Sequence, residues 1–206
     1  MNLVCSLVCF LALIANSPSQ AAPPQSLTGD DYAIYSKILE DRFVRPGVEH
    51  LIIGDHTMMK FPRIMAGMTD FGDSPEVKKL RRAIAKDTQA DYDAKNKTPA
   101  ALESKFSISI PVVLLSAVER DEIFGVTGEG DKKTADRKGF ETLDRLYPNS
   151  QGFMRLSRVG YNHARTQALV SAGNVCGPLC GEGRVFLLVK DGNSWKIKYA
   201  VTTWVS

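Results

Sequence analysis

The stretch NVCGPLCGEGRVF, Asn174 to Phe186, sets two cysteines three residues apart among glycines, just ahead of an apolar run. Such a pair can serve as a redox couple, a metal clip, a source of a nucleophile, or a cross-link. Thioredoxin-type redox motifs hold two intervening residues and open a helix, whose positive end lowers the first thiol's pKa. Here three residues intervene, the surroundings read as a loop between strands, and the nearby charges are Glu182 and Arg184. A zinc site needs further ligands; the chain has three histidines, and its other cysteines, Cys5 and Cys9, lie near its start. No metal site is therefore expected.

A thiol nucleophile needs a base within hydrogen-bond reach. His163 lies in the turn before the strand that leads to Cys176. At about 3.3 Å per residue, that strand holds the two at opposite ends. The leading expectation is thus a disulfide between Cys176 and Cys180 that closes a hairpin tip, worth roughly 2 kcal/mol for so short a loop. Gly177 and Pro178 supply the turn. Gly181, Glu182 and Gly183 complete a rigid stretch suited to recognition, the glycines allowing unusual backbone angles. A thiol-dependent enzyme or small hydrolase using Cys176 or Cys180 with His56 or His163 is the rival reading.

EHLIIGDHT offers a second cluster. On a strand, His50 and His56 share a face but lie about 20 Å apart, too far to share a metal, and Asp55 points away from His56 unless a bend intervenes. Arg155 and Arg158 on a sheet surface offer anion contacts, and the aromatic face of Trp204 offers a platform for a sugar or peptide. The glycine-rich GVTGEGDKKTAD lacks a lysine directly after its last glycine and is no phosphate loop. No catalytic set and no cofactor follow from these spacings.

The elements that must position these residues begin with a leader. Leu3 to Ala15 is an uncharged apolar run, shorter than the roughly 20 residues a membrane span needs. Ser19 and Ala21 suit signal peptidase, so residues 1–21 read as a secretory signal and 22–206 as one domain; an uncleaved anchor is the alternative. The surviving cysteines, Cys176 and Cys180, would then meet an oxidising compartment. A net charge of +3 argues for neither nucleic acid nor an anionic membrane surface. No later run reaches membrane-spanning length.

SLTGDDYAIYSKILEDRFV reads as a helix burying Tyr32, Tyr35, Ile38, Leu39 and Phe43, stopped by Pro46-Gly47. Leu51 to Ile53 centre a short strand, and residues 58–73 read as irregular. DSPEVKKLRRAIAKDTQADYDAKN reads as one helix, with Ser74 as N-cap and Pro75 in its first turn. Thr98-Pro99 suggests a helical turn, and Pro111 confines FSISIPVVLL to an edge or a break. SAVE at 116–119 has capping-box spacing, and RKGFETLDRLY gives a helix ended by Pro148. From Gly152 the period becomes two, predicting four strands, the last with Trp195, Ile197, Tyr199 and Val201 on one face. The expected fold is α+β, a helical N-terminal half packed on a C-terminal four-stranded antiparallel meander.

The order SRVGYN, TQALV, CGPLCGEG, DGNSWKI and WVS resembles a group of uncharacterised exported bacterial proteins, over roughly the last third of the chain. The resemblance implies an exported location and a similar fold, and carries no catalytic residue. The function these residues suggest is a non-catalytic binding or envelope-associated module, its partner an unidentified ligand or envelope protein.

Overall fold

The computed structural model describes residues 26–58, 74–125 and 132–206. The leader, most of the irregular segment and residues 126–131 of the glycine-rich loop lie outside these. The elements run α1 (Gly29–Arg42), β1 (His50–Gly54), α2 (Pro75–Ala83), α3 (Lys86–Lys95), β2 (Val112–Leu115), α4 (Ala117–Phe124), α5 (Lys132–Leu146), β3 (Ser150–Leu156), β4 (Gly160–Tyr161), β5 (Gln167–Gly177), β6 (Cys180–Asp191) and β7 (Ser194–Val205).

The class is α+β, but the four-stranded antiparallel meander is overturned: one seven-stranded mixed sheet runs β2-β1-β3-β5-β6-β7, with β4 beside β5. The N-terminal half is not merely a helical cover. It inserts β1 between β2 and β3, parallel to both. Leu51, Ile52 and Ile53 are fully buried, as a strand covered on both faces must be. Antiparallel pairing holds from β3 through β5 and β6 to β7. Short hairpin connections read from local sequence cannot reveal a parallel partner about a hundred residues away.

Helix α1 packs on one face. Its Tyr35, Ile38, Leu39 and Phe43 meet Leu51, Met154, Val170 and Phe186 in one core. Its N-terminus carries a full capping box, Thr28 with Asp31. On the opposite face, Val77, Leu80, Ile84 and Tyr92 of the α2–α3 segment cover Leu169, Val185 and Leu187, while Phe140 and Leu143 of α5 cover Ile52 and Phe153. The predicted capping box at Ser116 and Glu119 and the N-cap at Ser74 are both formed.

The single helix expected over 73–96 is two helices. Ile84 turns extended, φ −74° and ψ 123°, which buries its side chain against the sheet. The Gln167 side chain on β5 serves the break: its Oε1 accepts from Ala85 N–H at 2.7 Å and from the buried Thr88 hydroxyl at 2.9 Å, and its Nε2 donates to Ala83 O at 3.1 Å. Gln167→Ala would leave these groups unpaired. The expected loss is about 2 kcal/mol, read as a lower urea midpoint at unchanged m-value. No helical turn forms at Thr98-Pro99; instead Ala101 makes an isolated antiparallel bridge to His56.

In β7 the predicted face is broken by a bulge. Leu187 pairs with Tyr199 but Leu188 with Ile197, so Lys198 is an extra residue. Trp195 and Ile197 therefore join the α1 core while Tyr199 and Val201 join the α2–α3 core, as one inserted residue inverts a period of two. A second shift leaves Thr203 extra, its hydroxyl donating to Gly183 O at 3.1 Å.

Candidate functional site

The Cys176 and Cys180 sulfurs lie at disulfide distance, their Cα atoms 5.0 Å apart, across a two-residue turn at Pro178-Leu179. Leu179 stands 88% exposed at the tip. Gly181 and Gly183 belong to β6 itself, paired with Val175 and Gly173. Neither adopts a positive φ, so their reason is room. The Trp204 indole occupies the space a side chain at Gly183 would fill, and a Cβ on Gly181 would come within 3.0 Å of the same ring. Trp204 is thus a half-buried cover over bare strand rather than a free platform, the aromatic masking of strand glycines that stabilises exposed sheet.

On the other face of the same hairpin, Glu182 accepts from Arg184 Nε at 3.0 Å and Nη2 at 2.8 Å. Arg45, in the turn after α1, reaches Glu182 only at 3.8 Å and keeps 56% of its side chain exposed. These residues border an open cleft of about 720 Å³, which Ser150, Asn174 and, from α5, Asp144 also line.

The cleft is assembled around a bulge in β3. His50 pairs with Ser150 but Ile52 with Phe153, so β3 holds one residue more than β1 over this stretch. Gly152, at φ +90°, makes the bend. Gln151 then ties three elements. Its side chain donates to Phe43 O at 2.5 Å, which closes the end of α1, and its carbonyl accepts from Asn174 Nδ2 at 2.8 Å. Arg45 is positioned two residues beyond that tie.

Two lining side chains hold unused hydrogen-bonding atoms. Asn174 is 8% exposed and its Oδ1 has no partner among the described residues; Ser150 Oγ is likewise buried and without a partner among them. Buried polar atoms are nearly always paired, so two orphans lining one cleft mark a place where another polar group belongs. The sequence signal was there for Asn174, a polar residue at an inward position of the apolar strand QALVSAGNV. Arg45, Gln151 and Ser150 gave none, because only the tertiary fold brings them to the hairpin.

The other sequence candidates lie elsewhere. His56 follows the far end of β1 and binds Asp55 Oδ1 at 2.9 Å. His163 is 93% exposed and its Nδ1 meets Asp87 Oδ2 at 2.9 Å. Ser150 pairs with the first residue of β1 and Val175 with Phe153, so the cysteines sit at the opposite end of the sheet from both histidines. Arg158 is not a surface residue. It is 5% exposed, with its backbone bonded to Asn96 on both sides. Arg155 is exposed, its guanidinium over the Phe153 ring at 5.5 Å and 4.0 Å from the Met58 sulfur. Partial loss of solvent, then the charge of Arg120, holds its pKa below the usual arginine value. Among the described residues no group of three or more metal-ligating side chains converges.

The Asp87 carboxyl is held below the usual carboxylate range, first by the His163 backbone N–H; desolvation, the next largest effect, opposes it, and the His163 ring and the Thr88 N–H add smaller help. A depressed folded pKa gives stability that is present above the unfolded value of about 3.9 and is lost as pH falls through the lower folded value. The Asp87 carboxyl carbon should therefore titrate below about 3.9 by NMR, and His163→Gly, which keeps only the backbone bond, should move that midpoint only part of the way back.

No protein-family model, no curated protein and no solved structure matches this chain.

Proposed function

We propose that this is an exported, non-catalytic binding protein whose ligand site is the cleft at the cross-linked end of the sheet. The observation that carries this reading is the cleft itself, about 720 Å³ and lined by two residues, Ser150 and Asn174, each with a buried polar atom that lacks a partner among the described residues. That volume is in the range of small-molecule sites, which pair a sizeable concavity with a few placed polar groups. The bulge at Gly152, the Gln151 tie and the Cys176–Cys180 cross-link fix its walls in advance, which lowers the ordering cost of binding.

Export rests on the leader expected over residues 1–21 and on the resemblance to exported bacterial proteins. A cysteine pair at disulfide distance is compatible with an oxidising compartment. No helix among the described residues is long and apolar enough to cross a membrane. What favours binding over thiol chemistry is placement: the cysteines are paired with each other, and His56 and His163 lie at the other end of the sheet.

The test is an NMR screen of the oxidised protein against a library of small polar compounds. At least one compound should shift the amides of Gln151, Asn174 and Glu182 together while leaving those of His56 and His163 in place. A library with no such compound, or an esterase or peptidase activity abolished by Cys176→Ser, would sink the proposal.

A further inference from the structure

The charges around the cleft are arranged by sign. Arg184 makes both of its short bonds to one oxygen of Glu182, so the nearby pair is close to neutral. Arg45 lies beyond strong hydrogen-bond range of that carboxylate, at 3.8 Å, and is more than half exposed. It therefore presents nearly a full positive charge on the α1 side of the sheet. Asp144 lines the same cleft from α5, on the opposite side of the sheet. It is exposed and makes no ion pair with any described residue. The same cleft is lined by the uncharged Ser150 and Asn174, whose Oγ and Oδ1 have no partner among the described residues.

A purely anionic ligand would satisfy Arg45 and be repelled by Asp144, and a cation would meet the reverse. A ligand carrying both charges at separated ends satisfies both walls, and amide groups between those ends suit the polar lining. Resting on the binding reading above, we infer that the cleft takes a short peptide with free termini, its carboxylate on Arg45 and its ammonium on Asp144. The space suits a few residues better than a single amino acid. The apolar side chain of Val205, which lines the cleft and is 60% exposed, gives side chains of the peptide a place to rest.

Calorimetric titration of the oxidised full chain with trialanine, N-acetyl-trialanine, trialanine amide and free alanine tests this. Trialanine should bind, and each blocked form should bind about tenfold more weakly, the effect of one charged contact of about 1.4 kcal/mol. Arg45→Gln should weaken trialanine to the level of its amide and make amidation neutral. Asp144→Asn should do the same for acetylation. Both substitutions lie on exposed side chains and leave the fold intact, which a thermal melt verifies. Equal binding of free and blocked peptides, tighter binding of alanine than of trialanine, or no binding of any peptide overturns the inference. If peptides fail while a compound of another class shifts Gln151, Asn174 and Glu182, the cleft remains a binding site and the peptide assignment falls alone. If nothing shifts those amides, both fall.

Discussion

Gly160→Ala is expected to cost about 3 kcal/mol or more, lowering the melting temperature by roughly 6–12 °C for a chain of this size. A Cβ at position 160 would come within 2.5 Å of both the backbone nitrogen and the Cα of Tyr92. Backbone on both sides cannot yield as a side-chain tip can, so α3 would have to lift from β4. Lifting it strains three further contacts: the Tyr92 hydroxyl with Ser171 Oγ at 2.9 Å, Asp91 Oδ2 accepting from Tyr161 N–H at 2.7 Å, and Asn96 Nδ2 donating to Arg158 O at 3.0 Å. Tyr92→Phe separates the causes, since it removes only the hydroxyl and should cost about 1 kcal/mol. A Gly160→Ala protein melting within about 2 °C of the parent, a shift worth less than 1 kcal/mol, would show that α3 does not sit where the structure places it.

Gly152→Ala should destabilise by roughly 2–5 kcal/mol and also disturb the cleft. Two costs combine. The φ of +90° penalises any residue with a Cβ by about 1–2 kcal/mol, and the new methyl would collide with Val175 O and come within 2.7 Å of Cys176 Cα, adding about 1–3 kcal/mol. The nearest way out moves β3 from the base of the cross-linked hairpin, which pulls Gln151 from Phe43 and Asn174. Chemical denaturation should therefore show the lower midpoint, and the amides of Glu182 and Arg45 should shift far more than those of His163. A shift spread evenly over the sheet would mean that the bulge does not shape the cleft.

Local patterns were legible wherever neighbours in sequence were neighbours in space. The α1 stripe of Tyr32, Tyr35, Ile38, Leu39 and Phe43 is buried throughout, and the capping residues at Ser74 and Ser116 do what their spacing implies. Readings failed where a distant residue decided. The break at Ile84 depends on Gln167, more than eighty positions on, and helix propensity alone continues through it. The face of Tyr199 depends on one inserted residue in β7, which a period-two reading cannot locate. The glycines of the CGEG stretch were legible as special but for the wrong cause, since the Trp204 ring and not the backbone angle requires them. Arg158 reads as surface because arginine usually is, and its burial follows from the α3 contacts. Of the cleft, the cysteine hairpin and Glu182 were visible in the sequence. Its other walls come from the α1–β1 turn, the β3 bulge and α5, which only the mixed sheet brings together.

The two irregularities in β7 bear on how the border of the sheet resists pairing with a like strand. This strand is twelve residues long and lies at the border of the sheet, where a straight, open row of amide and carbonyl groups would template a second molecule and seed fibrous assembly. The extra residues at Lys198 and Thr203 divide that row into shorter runs, and the exposed Lys198 places a positive charge along it that a like strand would oppose. Deleting Lys198 would straighten the border and invert the residues beyond it. The expected result is aggregation with thioflavin-positive material well before any loss of helix signal.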